Sequence, residues 1–237
     1  MSVPVFLAED LTGRRLVLSG AEGRHAAGAR RLRPGEAVDV VDGRGGRADC
    51  RVQQVGRDEV TLEVVGLVRE PPPAPRIVLV QALPKGDRGE LAVELATEVG
   101  VDEIVPWVAA RCVMQWKGER GDKARGRWQA TAREAAKQSR RAWVPEVLPL
   151  HTTPQVAARL RSSTALVLHE AAVTRLSALA LPEQGEVALV VGPEGGITDD
   201  ELLALGGTAV RLGPGVLRTS TAGAVAAALI SARTGRW

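Results

Sequence analysis

The segment from Leu189 to Ala224 reads LVVGPEGGITDDELLALGGTAVRLGPGVLRTSTAGA and contains two glycine-rich loops. The first loop, at 192–198, follows the apolar run Val187–Val191, and the second, at 212–222, follows the run Ala209–Leu212. Short apolar runs of this kind are typical of strands that are buried on both faces. Loops at the carboxyl ends of such strands are where open α/β sheets bind ligands. The segment therefore predicts either a ligand site lined by backbone or two plain turns from strand to helix.

Three earlier apolar runs extend the predicted sheet. They lie at Ile77–Ala82, Glu103–Val108 and Ala165–Leu168. Helical patterns alternate with these runs and include a second helix over 123–140 and an alanine-rich last helix over 222–233. This alternation predicts an α/β domain with a mostly parallel sheet that is flanked by helices.

The first helix of this domain carries clear local signals. Asp87 and Glu90 have the spacing of a capping box, and a second such box is formed by Thr198 and Glu201. Gly100 is the predicted stop of the first helix. The side chains expected to face the core are Leu91, Leu95 and Val99.

Residues 1–70 have a different pattern, with short alternating stretches between turn signals. The predicted strands are Arg15–Leu18, Ala37–Val41, Ala48–Val55 and Glu59–Val64, with a helical turn near His25–Leu32. Glycines at 43, 45 and 46 predict a hairpin. We expect a small antiparallel β-barrel over 1–70, a proline-rich linker over 71–75 and the α/β domain over 76–237.

Positive charge is concentrated in residues 111–141, which contain ten Lys or Arg against three acids. Trp116, Trp128 and Trp143 are interleaved with these charges. Such a segment either neutralises phosphates and stacks on bases, or forms the solvated face of an arginine-rich helix.

Several function classes lack their usual residues in this chain of 237 residues. The phosphate loop of kinases, the dinucleotide-binding glycine motif and the common hydrolase motifs are missing from the sequence. Cys50 and Cys112 lie far apart without nearby histidines, so we expect no metal. No apolar run reaches the roughly 18 residues of a membrane span, and no signal peptide is evident, so we expect a cytoplasmic protein without membrane contact.

The motifs VGPEGGIT at 191–198 and LGPGVLRTSTA at 212–222 resemble those of SPOUT-class methyltransferases. Within this class they are most similar to the family that methylates N3 of a uridine in small-subunit ribosomal RNA. Residues 81–112 resemble the first strand and helix of that family, 123–147 its basic segment, and 25–46 its PUA-like RNA-binding domain. One departure is Ser220, where many members have a glutamate.

The resemblance implies a deep trefoil knot near 189–224, a homodimer, and S-adenosyl-L-methionine as the cofactor. It also implies a set of cofactor-binding residues around the two loops and the end of the strand at 165–168. They are Leu168, His169, Glu170, Val191, Gly192, Pro193, Glu194, Gly195, Gly196, Ile197, Leu212, Gly213, Val216, Leu217, Thr219 and Ala222.

Two of the residues in these loops are candidates for catalysis. N3 of uridine attacks well only as its proton departs, so a general base and a group that stabilises negative charge are needed. The hypothesis assigns charge stabilisation to Arg218, and proton acceptance to Glu194 or a water. Glu194 can instead be a structural residue that holds loop N–H groups.

The small-subunit ribosomal RNA implied as substrate requires a phosphate-binding surface. The candidate residues are Arg30, Arg31, Arg33, Arg111, Arg133 and Arg140. Two alternative functions stay open: another SPOUT enzyme that methylates a ribose 2′-hydroxyl or a different base, and a non-enzymatic RNA-binding protein of ribosome assembly.

Overall fold

The computed structural model describes residues 3–237, which form two compact units. The first unit contains the chain up to residue 72 together with 136–144, and the second contains 73–135 and 145–237. Nothing in the sequence pattern had indicated that 136–144 belongs with the N-terminal unit. Within the described residues, no helix is both long and apolar enough to cross a membrane.

The first unit is built on a curled five-stranded sheet. Its strands are β1 (Val5–Leu7), β2 (Arg15–Leu18), β3 (Ala37–Val41), β4 (Gly46–Val55) and β5 (Val60–Arg69), in the order β1-β3-β4-β5-β2. A short helix α1 (Gly20–Arg24) continues into a π-helical turn at His25–Ala29. The four predicted strands are confirmed, but β1 was missed and pairs with β3 in parallel. The expectation of a wholly antiparallel sheet is therefore wrong at this pair.

The hairpin between β3 and β4 forms for the reason that the sequence suggests. Gly43 and Gly45 have φ values of 73° and 92°, which side chains disfavour. The Asp42 carboxylate accepts hydrogen bonds from the backbone N–H groups of Arg44, at 2.6 Å, and Gly46, at 2.8 Å. The turn is thus fixed by one acidic side chain and two glycines.

Residues 136–144 pack against this hairpin within the first unit. The backbone N–H of Gly45 donates to the Ala142 carbonyl, and the N–H of Val144 donates to the Gly43 carbonyl, both at 3.0 Å. Ala142 is buried with Val5 and Val41. Backbone pairing and apolar burial together explain why this distant segment belongs to the first unit.

The second unit contains a seven-stranded sheet in which every pair is parallel. Its strands are β6 (Arg76–Ala82), β7 (Glu103–Val108), β8 (Glu146–Val147), β9 (His151–Thr152), β10 (Thr164–Leu168), β11 (Glu186–Val191) and β12 (Thr208–Val210). The order is β12-β10-β11-β6-β7-β8, and β9 also pairs with β7. The five predicted strands are confirmed. The two that were missed, β8 and β9, have two residues each and are too short to show a pattern.

Five helices accompany this sheet. They are α2 (Arg88–Glu98), α3 (Gly118–Gln138), α4 (Thr153–Leu160), α5 (Asp199–Leu205) and α6 (Thr219–Arg233). Side chains that alternate along β6 enter two different apolar clusters, with Ile77 and Leu79 in one and Val78 and Val80 in the other. Both faces of the sheet are therefore covered, as the continuous apolar runs predicted.

The face that helix α2 buries coincides only in part with the predicted one. Leu91 is 42% exposed, whereas Ala92, Val93 and Ala96 are buried. Helix α2 packs against α6, and small side chains at the contact let two helices approach closely. The prediction is wrong at Leu91, because it followed the largest side chains instead of the helix contact, whereas Leu95 is partly buried and Val99 packs against the core.

The predicted capping box of α2 is also wrong. Asp87 makes no side-chain capping bond, and its backbone has φ −87° and ψ 3° in place of an extended conformation. Glu90 accepts a hydrogen bond from Arg127 Nε at 3.0 Å instead. The predicted stop is confirmed, because Gly100 has φ 97° and the Val101 N–H returns to the Ala96 carbonyl.

Helix α6 lies close to the sheet because of a glycine. A Cβ atom at Gly223 would lie 2.8 Å from Leu79 Cδ1, inside van der Waals contact. The helix begins at Thr219, three residues earlier than predicted. Its first turn lies at the carboxyl ends of β6 and β11, where Thr219 bonds Gln81 and the Gly192 carbonyl.

An ion-pair network joins the amino ends of three strands, at the sheet edge opposite the glycine-rich loops. Arg159 on α4 pairs with Glu186 at 2.6 Å and with Glu103 at 3.0 Å, and Arg76 pairs with Glu103 at 2.6 Å. Burial alone would raise the pKa of Glu186, but hydrogen bonds from Arg159 and Ser163 outweigh it and lower the pKa. The ionised carboxylate therefore stabilises the folded chain.

The substitution Glu186→Gln tests this network. Because the folded pKa lies below the ordinary value of 4.5, the stabilisation is present above that pH and is lost as the pH falls through the folded pKa. We expect the variant to lose roughly 1–3 kcal/mol of unfolding free energy at pH 7 and less at pH 3. Urea denaturation at both pH values measures this, with the exposed Glu183→Gln as control. A pH-independent difference would contradict the assignment.

Candidate functional site

Strands β11, β10 and β12 are neighbours and run parallel, so their carboxyl ends meet at one edge of the sheet. The segments that follow them surround a cavity of about 490 Å³. Small-molecule sites in proteins span about 300–1,000 Å³, and in open α/β sheets they lie at this edge. The ligand-site interpretation of the two loops is therefore supported over that of two plain turns.

All sixteen predicted cofactor-binding residues line this cavity, together with Arg218. Their role in binding a cofactor stays a prediction. Sequence reasoning missed five further lining residues, and it had assigned a sixth, Arg111, to RNA. The five are Arg88, Val210, Arg211, Pro214 and Gly215. No sequence pattern indicated Arg88 as a cavity residue, because it belongs to α2, about 100 residues before the loops.

The first loop is tightly folded around its glycines. Gly196 has φ 77°, and its N–H donates to the Pro193 carbonyl at 2.9 Å. A Cβ atom at Gly192 would lie 2.6 Å from Ile197 Cγ1, so only glycine fits there without a shift. The loop ends in the predicted capping box, in which Thr198 and Glu201 each bond the other's backbone N–H. That prediction is confirmed.

Glu201 also connects the end of this loop to two other segments. Its carboxylate accepts hydrogen bonds from the Ala110 N–H at 2.8 Å and from Thr153 Oγ1 at 3.1 Å. The side chain is only 6% exposed. One buried carboxylate thus holds α5, the start of α4 and the turn after β7 together.

Two charged side chains hold the outer part of the first loop. Arg111 Nη1 donates to the Gly195 carbonyl at 2.9 Å. Glu194 Oε1 accepts from the Lys85 N–H at 3.2 Å and lies 3.7 Å from Arg88 Nη1. Glu194 therefore has the contacts of a residue that holds a loop, in addition to its place beside the cavity.

Thr219 joins the two loops. Its hydroxyl Oγ1 donates to the Gly192 carbonyl at 2.8 Å and accepts from Gln81 Nε2 at 3.1 Å. Gln81 and Thr219 are both buried. This relay connects the end of β6, the first loop and the start of α6, and sequence reasoning did not find Gln81.

The second loop presents an arginine without an acidic partner. Arg218 is the N-cap of α6, and its carbonyl accepts from the Thr221 and Ala222 N–H groups at 3.0 Å. Its side chain is exposed, and no carboxylate of residues 3–237 lies within ion-pair distance of it. The guanidinium can therefore bind an anionic or carbonyl group at the mouth of the cavity. Ser220 is 2% exposed and is absent from the cavity lining.

The predicted RNA-binding arginines are distributed over both units. Arg30, Arg31, Arg33 and Arg140 are exposed in the first unit, and Arg133 is exposed in the second. Trp128 is 2% exposed and packs edge to face on Trp116, with ring centres 4.9 Å apart. The expectation that Trp128 stacks on bases is wrong, because its ring is part of the core.

Neither cysteine is a thiolate nucleophile at neutral pH. Burial raises the pKa of Cys50 to about 11 and also raises the pKa of Cys112. Both thiols are therefore protonated near pH 7.

Comparisons with known proteins bear on both units. A family model for the RNA methyltransferase domain matches residues 70–231, and a model for the RNA methyltransferase PUA domain matches 18–65. A Mycobacterium tuberculosis protein named ribosomal RNA small subunit methyltransferase E is 50% identical over 234 residues, covering 95% of this chain and 89% of that protein. The Bacillus subtilis protein of that name is 32% identical, covering 92% and 90%.

A solved structure is similar over nearly the whole chain. It is the crystal structure of a ribosomal RNA small subunit methyltransferase E from Neisseria gonorrhoeae bound to S-adenosyl methionine. The TM-score is 0.89 at 28% identity, and the match covers 98% of each chain.

The substitution Thr219→Val tests the relay between the loops, because valine keeps the shape and removes the hydroxyl. We expect a loss of roughly 1–3 kcal/mol of unfolding free energy, because the Gly192 carbonyl loses its hydroxyl donor and Gln81 keeps only its bond to the Ala82 carbonyl. Faster hydrogen exchange at the amides of 194–197 should accompany it. Thr219→Ser is the control and should behave like the parent protein. Equal exchange in the two variants would contradict the relay.

Proposed function

Since the chain belongs to the RNA methyltransferase family, we propose that it transfers a methyl group from S-adenosyl-L-methionine to N3 of a uridine in small-subunit ribosomal RNA. The observation that carries this proposal is the cavity formed by two backbone-lined loops at the carboxyl edge of a parallel sheet. The names of the mycobacterial and Bacillus relatives support ribosomal RNA as the substrate. The ligand of the Neisseria relative supports the cofactor.

The residues around the cavity fit this cofactor. Gly213 and Gly215 line the cavity, and a Cβ atom at either would meet no protein atom within 4 Å. Backbone N–H and C=O groups at such positions can bond an adenine edge or a ribose without obstruction by side chains. The apolar side chains of Leu168 and Ile197 add surface for the adenine ring.

The chemistry requires positioning more than covalent help. The cofactor supplies an electrophilic methyl group on a sulfonium, whose leaving group is neutral. The chain must therefore hold the uracil in line and stabilise the negative charge that develops as N3 loses its proton. Arg218 is suited to this, because its guanidinium is at the cavity mouth without a carboxylate partner among the described residues.

The proposed proton acceptor is Glu194. Its Oε1 accepts the Lys85 N–H and faces Arg88, while no hydrogen bond to Oε2 is found within residues 3–237. One oxygen can thus hold the carboxylate in place while the other takes the N3 proton, directly or through a water.

A deep trefoil knot and a homodimer are part of the proposal. The start of α6 is bonded to the first loop through Thr219, and α6 packs on β6 and β11, which is where a threaded segment would lie.

Leu91 on α2 and Val225 on α6 are exposed and apolar, and both suit burial in an interface between copies. Analytical ultracentrifugation tests the dimer, and a monomer at all concentrations would contradict it.

RNA phosphates are proposed to bind the exposed arginines of both units. They are Arg30, Arg31, Arg33, Arg133 and Arg140. Arg111 is bonded to the Gly195 carbonyl, so we assign it to the loop instead. Replacing the five by glutamine should lower the salt dependence of RNA binding, and an unchanged slope would contradict the assignment. Ribosomal RNA as substrate supports the proposal that the enzyme acts in the cytoplasm.

Nucleoside analysis tests the proposed reaction directly. Small-subunit RNA that lacks the modification is incubated with the protein and cofactor labelled on the methyl group, and is then digested to nucleosides. We expect label in 3-methyluridine. Label in a 2′-O-methyl nucleoside or another base would show a different target, and no label with intact RNA binding would favour a non-enzymatic role.

The variant Arg218→Gln separates chemistry from cofactor binding. Loss of one donor that stabilises developing charge lowers kcat by about 10²–10³ in other enzymes, and we expect a similar loss here. The Kd for the cofactor, measured by calorimetry, should change little. Arg161→Gln, at an exposed site outside the cavity lining, is the control. An unchanged kcat in the Arg218 variant would remove this residue from the chemistry.

A further inference from the structure

Arg211 lines the cavity and has no function in the mechanism above. It directly follows β12, and its Nε–H group is buried without a hydrogen-bond partner among the residues that the structure describes. Buried guanidinium nitrogens normally have a partner, because leaving a charged donor without one destabilises the fold. Arg211 is partly exposed and lines the cavity, so a group of the ligand can pair with a guanidinium that the described chain leaves without an acidic partner.

The charges around the cavity identify the kind of partner. Four arginines line it, at 88, 111, 211 and 218, against the two carboxylates of Glu170 and Glu194. The Arg88 guanidinium faces Glu194, and Arg111 bonds the Gly195 carbonyl. No described carboxylate lies within ion-pair distance of Arg211 or of Arg218. The cavity therefore has two cationic groups available for anionic or partly anionic groups of its ligands.

The backbone of Arg211 is firmly held. Its N–H donates to the Thr174 carbonyl and its carbonyl accepts from the Leu176 N–H, both at 2.9 Å. The preceding residue, Val210, accepts from the His169 N–H at 2.9 Å. The main chain that carries this side chain is therefore fixed in position. A planar guanidinium can bind a planar carboxylate with two parallel hydrogen bonds.

We infer that Arg211 binds the carboxylate of the methionine part of S-adenosyl-L-methionine. This inference rests on the proposed function and names a further binding residue for it. The methionine carboxylate is the only anionic group of that cofactor. Arg218 is exposed at the cavity mouth and suits the RNA base, whereas the less exposed Arg211 suits a ligand group inside the cavity.

The test compares two ligands that differ only in this carboxylate. Calorimetry on the full chain measures Kd for S-adenosyl-L-methionine and for its decarboxylated form, which keeps the sulfonium and the amine. We expect Arg211→Gln to weaken binding of the first ligand about tenfold or more, as for loss of a charge-assisted hydrogen bond, and to leave the second within about twofold. Arg211→Lys keeps the charge and should restore part of the affinity.

The matched control is Arg175→Gln. Arg175 forms a backbone bridge with Arg211 but is exposed and absent from the cavity lining, so we expect no effect on either ligand. Equal weakening of both ligands by Arg211→Gln would show a structural role and overturn the inference. Loss of discrimination in Arg218→Gln instead of Arg211→Gln would also overturn it. Failure of the parent protein to bind the cofactor would overturn the proposed function itself.

Discussion

The parallel pairing of β11 with both β6 and β10 is the constraint on which the rest of the second unit depends. The register aligns Val191 with Gln81 on one side and with Leu168 on the other. Three strands thus end at the same level, and the chain leaves them at one edge of the sheet. Because the strands are buried on both faces, the polar groups of the chain that can meet a ligand are concentrated in the segments that follow them.

Those segments are held in part by Thr219 and Arg111, two residues that also line the cavity. Thr219 bonds the Gly192 carbonyl, Arg111 bonds the Gly195 carbonyl, and Gly223 lets α6 come within contact of the sheet. These contacts fix the backbone of the two loops that surround the cavity. A rigid loop whose inner surface is main chain can bind a ligand by hydrogen bonds that no side-chain rotation disturbs.

Arginines at the two edges of the sheet differ in whether a carboxylate pairs with them. At the amino edge, Arg76 and Arg159 are matched by Glu103 and Glu186 in a partly buried network. At the carboxyl edge, Arg211 has no such partner among the described residues. Matched charges contribute to stability, whereas unmatched charges in a cavity retain their capacity to bind an anion.

The sequence by itself determined the elements whose signals are local. Continuous apolar runs indicated the five longer strands of the sheet, and glycine-rich segments after two of these runs indicated the two loops. The spacing of Thr198 and Glu201 indicated the capping box. The tertiary structure alone decided which face α2 buries, where 136–144 packs, and that Arg88 meets the loops. Hydrophobic periodicity indicates which residues of an element are buried, but not which other element packs on them. Residues about 100 positions apart become neighbours only through strand order, and no local pattern contains that order.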